Sequence, residues 1–400
     1  MEKDSVFNDR YKILGQLGKG GFGQVYKVYD TKRSLELAMK VDLNSRGSTL
    51  LESKVLHDIQ GGEGIPKLYD SGKSASLTYM VIELLGPNLN SMRKSLNGFS
   101  LSTVMLIFLQ CLIRIEYIHS CGYIHRDIKP QQFLIGPKDV IYLVDYGISK
   151  KYIIDGNHMS FQSQCMRAGS CSYASVNSHI GIRLSRRDDL ESLIYMIVYL
   201  VRGGLPWQTK GKVNNNRKWQ VVFAQKRAIL DEELFFGLPK QLQQIFSYVK
   251  NLKFDEKPNY AYIRDLVQNI RNEYTLKSKN FDWKVIERGN KSLDKRKTDE
   301  DNTKTLHGRK GVKKRHTRKI NRQRAMATMI NLPLHRDSHE AILGFLQPPI
   351  SISKSLRSGQ DASSYSSGGE TIKNYLPEFV HREQIFEELH KFRVSFVNRN

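Results

Sequence analysis

The sequence predicts an α+β fold, strand-rich up to about Leu85 and helical beyond it. Three observations carry this. Two runs of β-formers, Tyr11 to Leu17 and Gln24 to Tyr29, flank a glycine-rich turn. Leu35 to Val41 alternates with period two, so that Leu35, Leu37, Met39 and Val41 face one way and Glu36, Ala38 and Lys40 the other. Ser102 to His119 is apolar nearly all round, the mark of a helix buried in a larger domain. At 400 residues the chain exceeds one typical domain, so a two-lobed unit with a further segment is expected.

Taken in order, the first strand leads into Gly18-Lys19-Gly20-Gly21-Phe22-Gly23. Dinucleotide-binding folds share the G-x-G-x-x-G spacing, but there the glycines open a helix. Here Gln24-Val25-Tyr26-Lys27-Val28-Tyr29 follows, then a polar turn over Asp30 to Ser34. Strand, glycine turn, strand makes a flap whose backbone can approach phosphates without a Cβ in the way. Lys40 follows Gly23 on the alternating strand and shares a face with the small Ala38. Ser48 is suited to cap a helix running to about Gln60, with Leu51, Val55 and Ile59 as its apolar stripe and Gly61-Gly62 as its stop. Glu52 lies beside that stripe. Two more strands end in Thr78 to Leu85, broken by Gly86-Pro87. The leucines there suit either a nucleotide pocket or plain core.

After the long helix comes Tyr123-Ile-His-Arg-Asp-Ile-Lys-Pro-Gln-Gln-Phe133, which sets Asp127 two residues before Lys129 in a loop broken by Pro130. A β-like run, Val140 to Val144, ends in Asp145-Tyr146-Gly147. Phosphoryl transfer needs one carboxylate to take or orient the proton of the attacking hydroxyl and another to hold Mg²⁺ against the phosphates. His125-Arg126-Asp127 and Asp145-Tyr146-Gly147 resemble the catalytic loop and metal motif of protein kinases. Other blocks narrow the resemblance: Glu83-Leu-Leu-Gly-Pro87, Tyr173-Ala-Ser-Val-Asn177, Ser185-Arg-Arg-Asp-Asp-Leu-Glu-Ser-Leu193, Leu205-Pro-Trp-Gln208 and Phe254-Asp-Glu-Lys-Pro-Asn-Tyr260 are similar to the casein kinase 1 family. Ser175-Val176-Asn177 fills the place where most kinases carry Ala-Pro-Glu.

The resemblance covers about residues 11 to 288 and implies the bilobal protein-kinase fold. A small, mainly antiparallel β N-lobe with one helix (about 11–85) would meet a larger helical C-lobe (about 88–288), with ATP in the cleft. It implies that Leu17, Gly18, Lys19, Gly20, Gly21, Phe22, Gly23, Gln24 and Val25 cover the nucleotide, with Ala38, Glu83, Leu85 and Leu134 around the base. Lys40, held by Glu52, would meet the α- and β-phosphates. Asp127 would serve the substrate hydroxyl, Lys129 would screen the γ-phosphate, and Asp145 would bind Mg²⁺. The second metal ligand, an Asn in the family, is Gln132 here. Its amide oxygen sits on a stem about 1.5 Å longer, which predicts transfer that is reduced or altered in metal preference, with Mn²⁺ an alternative to Mg²⁺. A pseudokinase scaffold is the rival reading that Gln132 favours and that Lys40, Glu52, Asp127 and Asp145 oppose. Casein kinase 1 enzymes favour acidic or phosphorylated protein substrates. Lys218 matches the family's anion-pocket lysine, whereas Ser172 stands where the family has arginine, which predicts weaker selection for phosphate priming.

The net charge of +23 points to an acidic partner or to a basic tail on an ordinary domain. Lys291 to Arg324 holds 14 Lys/Arg against 4 Asp/Glu, and residues 289–375 are expected to form a basic, then Ser/Gly-rich, disordered tail. Lys313 to Lys319 suits a nuclear address, an anion-binding patch or a solvated linker. The basic run has no stacking aromatics, so nucleic acid is disfavoured as a partner. Ile385, Leu389, Phe392 and Phe396 predict a short amphipathic helix within 376–400. The four cysteines show no metal spacing, and Met1 to Arg10 lacks an apolar signal core. The longest apolar runs, near Val104 to Leu112 and Leu193 to Val201, are too short to span a bilayer. A monomeric kinase domain in the cytoplasm or nucleus is expected.

Overall fold

The computed structural model describes residues 1–20, 23–42, 48–74, 77–208 and 215–284. The expectations for the basic run, the Ser/Gly-rich stretch and the C-terminal helix lie outside those residues, as do Gly21 and Phe22.

The N-terminal part is a six-stranded antiparallel sheet and one helix. In chain order these are β1 (Val6–Phe7), β2 (Tyr11–Gly20), β3 (Gly23–Asp30), β4 (Leu35–Asp42), α1 (Ser48–Asp58), β5 (Leu68–Ser74) and β6 (Leu77–Glu83). The sheet order is β1-β2-β3-β4-β6-β5. Its inner face gathers Tyr11, Ile13, Tyr26, Val28, Leu37, Met39, Val41 and Val81 into a small core. The period-two reading of β4 holds from Leu37 onward, but Leu35, at the strand's exposed start, is 43% exposed. Ala38 is also buried, because the opposite face of β4 closes the cleft.

The stripe expected on α1 holds at Val55 and Ile59, both buried, but fails at its first member. Leu51 is 50% exposed, whereas Glu52 is 2% exposed and lies with Thr49, Val55 and Leu56 on the buried face. Apolar spacing cannot reveal this, since the face that turns inward is defined partly by a carboxylate with a cationic partner. Ser48 is the helix's first residue, and its hydroxyl donates to Asp42 Oδ2 (2.9 Å).

The helical part begins with α2 (Leu89–Ser95) and α3 (Leu101–Ser120). Short strands β7 (Tyr123–Ile124), β8 (Phe133–Ile135) and β9 (Ile141–Leu143) frame the loops that follow. Next come β10 (Lys150–Lys151), β11 (Ile153–Ile154), β12 (Asn157–His158), α4 (Val176–His179), α5 (Arg186–Arg202), α6 (Asn215–Ala228), α7 (Asp231–Phe235), α8 (Lys240–Asn251) and α9 (Tyr260–Glu273). At 20 residues α3 is, by length and composition, long and apolar enough to cross a bilayer, longer than the apolar run read from sequence. It is the core helix instead, packed on α5 and α9 with Val104, Met105, Ile107, Phe108, Leu112 and Ile115 buried. Each such side chain contributes about 1.5–3 kcal/mol by leaving water. Helix α5 is buried from Asp188 to Leu200, and its first-turn carboxylates face inward.

Candidate active site

Strand β4 sets Lys40 on the cleft face, opposite Val25 and Met80 in register. Its Nζ lies 2.6 Å from Glu52 Oε2 and 2.9 Å from Asp145 Oδ1. Glu52 Oε1 accepts from the Tyr146 backbone N–H (3.2 Å), so one carboxylate grips both the lysine and the start of the Asp145 turn. Burial works against charge on Lys40, but Glu52 and Asp145 outweigh it and raise its affinity for the proton. Burial pushes Glu52 up to about 7 against the pull of Lys40. Asp145 is also opposed by burial, yet Lys40 and the Gln132 amide hold it below the ordinary carboxylate range. These contacts hold Lys40 and Asp145 in their charged forms, while burial leaves Glu52 balanced near 7.

Asp127 and Asp145 come from the loops before β8 and after β9, an antiparallel pair in which Phe133 lies opposite Leu143. Lys129 Nζ donates to Asp127 Oδ2 (2.6 Å) and to Ser170 Oγ (2.9 Å). Gln132 Nε2 donates to Asp145 Oδ2 (2.8 Å) and to Asp127 Oδ2 (3.2 Å). Asp127 Oδ1 is buried and has no hydrogen-bond partner among the described residues. Arg126 and Asp145 hold positive φ, +68° and +67°, a costly conformation for non-glycine residues that their surroundings must impose.

Residues 11–268 match the family model described as the protein kinase domain. The chain belongs to that family. The two lobes, with lysine, paired glutamate and two loop aspartates converging between them, are the kinase fold.

The kinase's glycine flap is the β2–β3 hairpin, with Gly18 opposite Val25, Lys19 opposite Gln24 and Gly20 opposite Gly23. A Cβ added at Gly18 or Gly20 would meet nothing within 4 Å, so both face open space. Gly23 is different: at φ +135° its Cβ would fall 2.3 Å from the Val41 carbonyl oxygen. Only glycine fits there. Leu17 is exposed on the flap. At the lobe junction the Glu83 N–H donates to Lys67 O (3.1 Å). Gly86 N–H donates to Ile135 O (2.9 Å), tying the junction, and with it Leu85, to β8 beside Leu134.

Two residues with no assigned role in the sequence reading hold the loops in place. Asp189, on α5, accepts the backbone N–H groups of His125 (2.7 Å) and Arg126 (2.8 Å), and its Oδ2 lies 2.9 Å from His119 Nε2. Burial pushes Asp189 up, but the hydrogen bonds with His119 and the His125 N–H outweigh it and hold it low. Lys226, on α6, donates to the carbonyls of Ala174 (2.5 Å) and Cys171 (3.3 Å), with the rings of Tyr195 and Trp207 against its ammonium. Asp189 could have been suspected from its place in Arg-Arg-Asp-Asp; nothing in the sequence marked Lys226. Ser175 and Asn177 are anchored by Asp188 Oδ1 (2.7 and 2.9 Å). Lys218 is half-buried on α6, and its carbonyl lies 3.8 Å from Cys171 Sγ, so it stands beside Ser172.

Among the described residues no cluster of His, Cys, Asp or Glu makes an all-protein metal cage. One carboxylate, Asp145, with phosphate oxygens from the nucleotide, is the donor set that Mg²⁺ commonly takes in phosphoryl-transfer sites. The residues present fit that use of a divalent ion.

Proposed function

We propose that this protein kinase is a Ser/Thr kinase of the casein kinase 1 type, transferring the γ-phosphate of ATP to acidic or already phosphorylated proteins. The observation that carries catalytic competence is the Lys40–Glu52–Asp145 contact, which assembles groups from both lobes. Lys40 orients the α- and β-phosphates, Asp145 supports the metal, and Glu52 keeps Lys40 aimed. Asp127 Oδ1 faces the incoming hydroxyl and takes or orients its proton, while Lys129, already on Oδ2, screens charge gathering on the γ-phosphate. The divalent metal, when bound, neutralises phosphate charge.

Substrate preference draws support from a cavity of about 240 Å³ beside the 150–177 segment, lined in part by Arg126, Lys150 and Arg183. Three cations around one hollow suit an acidic or phosphorylated side chain. Lys218 is a further candidate contact for such an anion. Labelled phosphate transfer from ATP to an acidic protein tests the proposal, with Asp127→Asn as control. Transfer that is absent at saturating ATP with both Mg²⁺ and Mn²⁺ rejects it.

The second reading is a pseudokinase scaffold. It draws on Gln132, whose amide nitrogen, rather than its oxygen, faces both aspartates. The same assay separates the two.

A further inference from the structure

We propose that Gln132 acts as a hydrogen-bond donor bracing Asp127 against Asp145, so that the site takes one divalent cation with the nucleotide and not two. The inference deepens the kinase reading and rests on its assignment of Asp145. Gln132 is 4% exposed, and its Nε2 lies 2.8 Å from Asp145 Oδ2 and 3.2 Å from Asp127 Oδ2. An amide nitrogen carries two hydrogens and can serve both carboxylates at once. The amide oxygen cannot take that place, because it would face two carboxylate oxygens with no proton between them. Charge therefore decides which end of the amide points inward.

The backbone beneath this side chain is pinned. Gln132 N–H donates to Lys129 O (3.0 Å), and Gln132 O accepts from Val144 N–H (2.9 Å). Presenting the oxygen to a cation would need a side-chain rotation that gives up both bonds to charged acceptors. The methylene that distinguishes Gln from Asn adds about 1.5 Å of reach, enough for one amide to span the two acids.

This arrangement divides the two oxygens of Asp127. Oδ2 receives Lys129 and Gln132, while Oδ1 has no partner among the described residues. The acid is held by one oxygen and works with the other. Gln132 is then a positioning residue for both aspartates.

The test counts Mn²⁺ bound per complex of the full chain with a non-hydrolysable ATP analogue, reading free Mn²⁺ by electron paramagnetic resonance. One ion is expected for the wild type and two for Gln132→Asn. Gln132→Leu is expected to keep one ion while kcat falls at least tenfold, since Asp127 loses its brace. Two ions on the wild-type complex overturn the proposal and leave the kinase reading standing, and so does one ion on both wild type and Gln132→Asn. If the Asn variant does not fold, the wild-type count decides. Analogue binding that is equally tight with and without Mn²⁺ would overturn the assignment of Asp145, and the proposal with it.

Discussion

Lys40 and Asp145 stand 105 residues apart in the chain and 2.9 Å apart in space, Nζ to Oδ1. Glu52 closes the triangle from the helix between them in sequence. Lys40→Met is expected to lower kcat/KM at least about a hundredfold, the scale of losing one preorganised charge contact. It also leaves Glu52 buried without its cation, a loss of about 3 kcal/mol. Adding Glu52→Gln should restore stability in a denaturant titration without restoring transfer. Recovery of both together would contradict the assigned roles.

Glu52 also sets a pH dependence. Burial pushes it up to about 7, so it becomes a full ionic partner for Lys40 only as pH rises through that value. The pH profile of kcat/KM should rise through about 7, and Glu52→Gln should lack this component. Stability runs the other way. The folded state holds this proton to higher pH than the unfolded chain, so the contribution is full below about 4.5 and lost as pH climbs through 7.

Lys226 gives the opposite signature. Its burial lowers it to about 7 from the ordinary 10.5, although Cys171 O, Ala174 O and two aromatic faces favour the ammonium. Between those values the unfolded chain binds more protons, so folding stability gains with rising pH, at up to about 1.4 kcal/mol per pH unit for one proton. Denaturation of wild type and Lys226→Met from pH 7 to 10 should differ by up to that slope. Parallel curves would show that the lysine stays charged.

Tyr146 occupies the place where most kinases carry Phe, and its hydroxyl donates to Leu143 O (2.8 Å) in the core. Tyr146→Phe removes a neutral hydrogen bond and leaves one carbonyl lone pair less satisfied. A loss of about 1 kcal/mol is expected, with kcat nearly unchanged, because Asp145 and Gly147 keep their backbone. Thermal unfolding beside a steady-state assay checks both halves.

Ser172 carries no cation, and its backbone carbonyl is engaged by Trp207 Nε1 (2.7 Å). Primed and unprimed peptides should therefore be phosphorylated at similar rates, and Ser172→Arg should favour the primed one, since a guanidinium beside Lys218 offers a bidentate phosphate contact. A strong wild-type preference for primed peptide would end this account.

Much of the fold could be read from patterns one residue type wide. The alternation from Leu37 to Val41, the glycine turn at 18–23 and the all-apolar stretch in α3 each report a local period, and local periods survive in a sequence. The helix carrying Glu52 was legible, with Val55 and Ile59 as core, but the facing of its first turn was not. Leu51 looks like core and Glu52 like surface until the cation across the cleft is in place. Lys226 and Asp189 were opaque for the same reason. A buried charge makes sense only through its partners, and theirs lie up to 70 residues away.

By itself the sequence determined the order of strands and helices and the residue types available for phosphoryl transfer. Only the tertiary structure decided which side chains meet: that Glu52 turns inward, that Asp189 holds the backbone of His125 and Arg126, and that Gln132 offers nitrogen, not oxygen, to two acids. The physical reason is that backbone periodicity is a short-range property of neighbouring residues. Charge compensation in a low-dielectric interior depends on distance in space, which no spacing in the chain encodes.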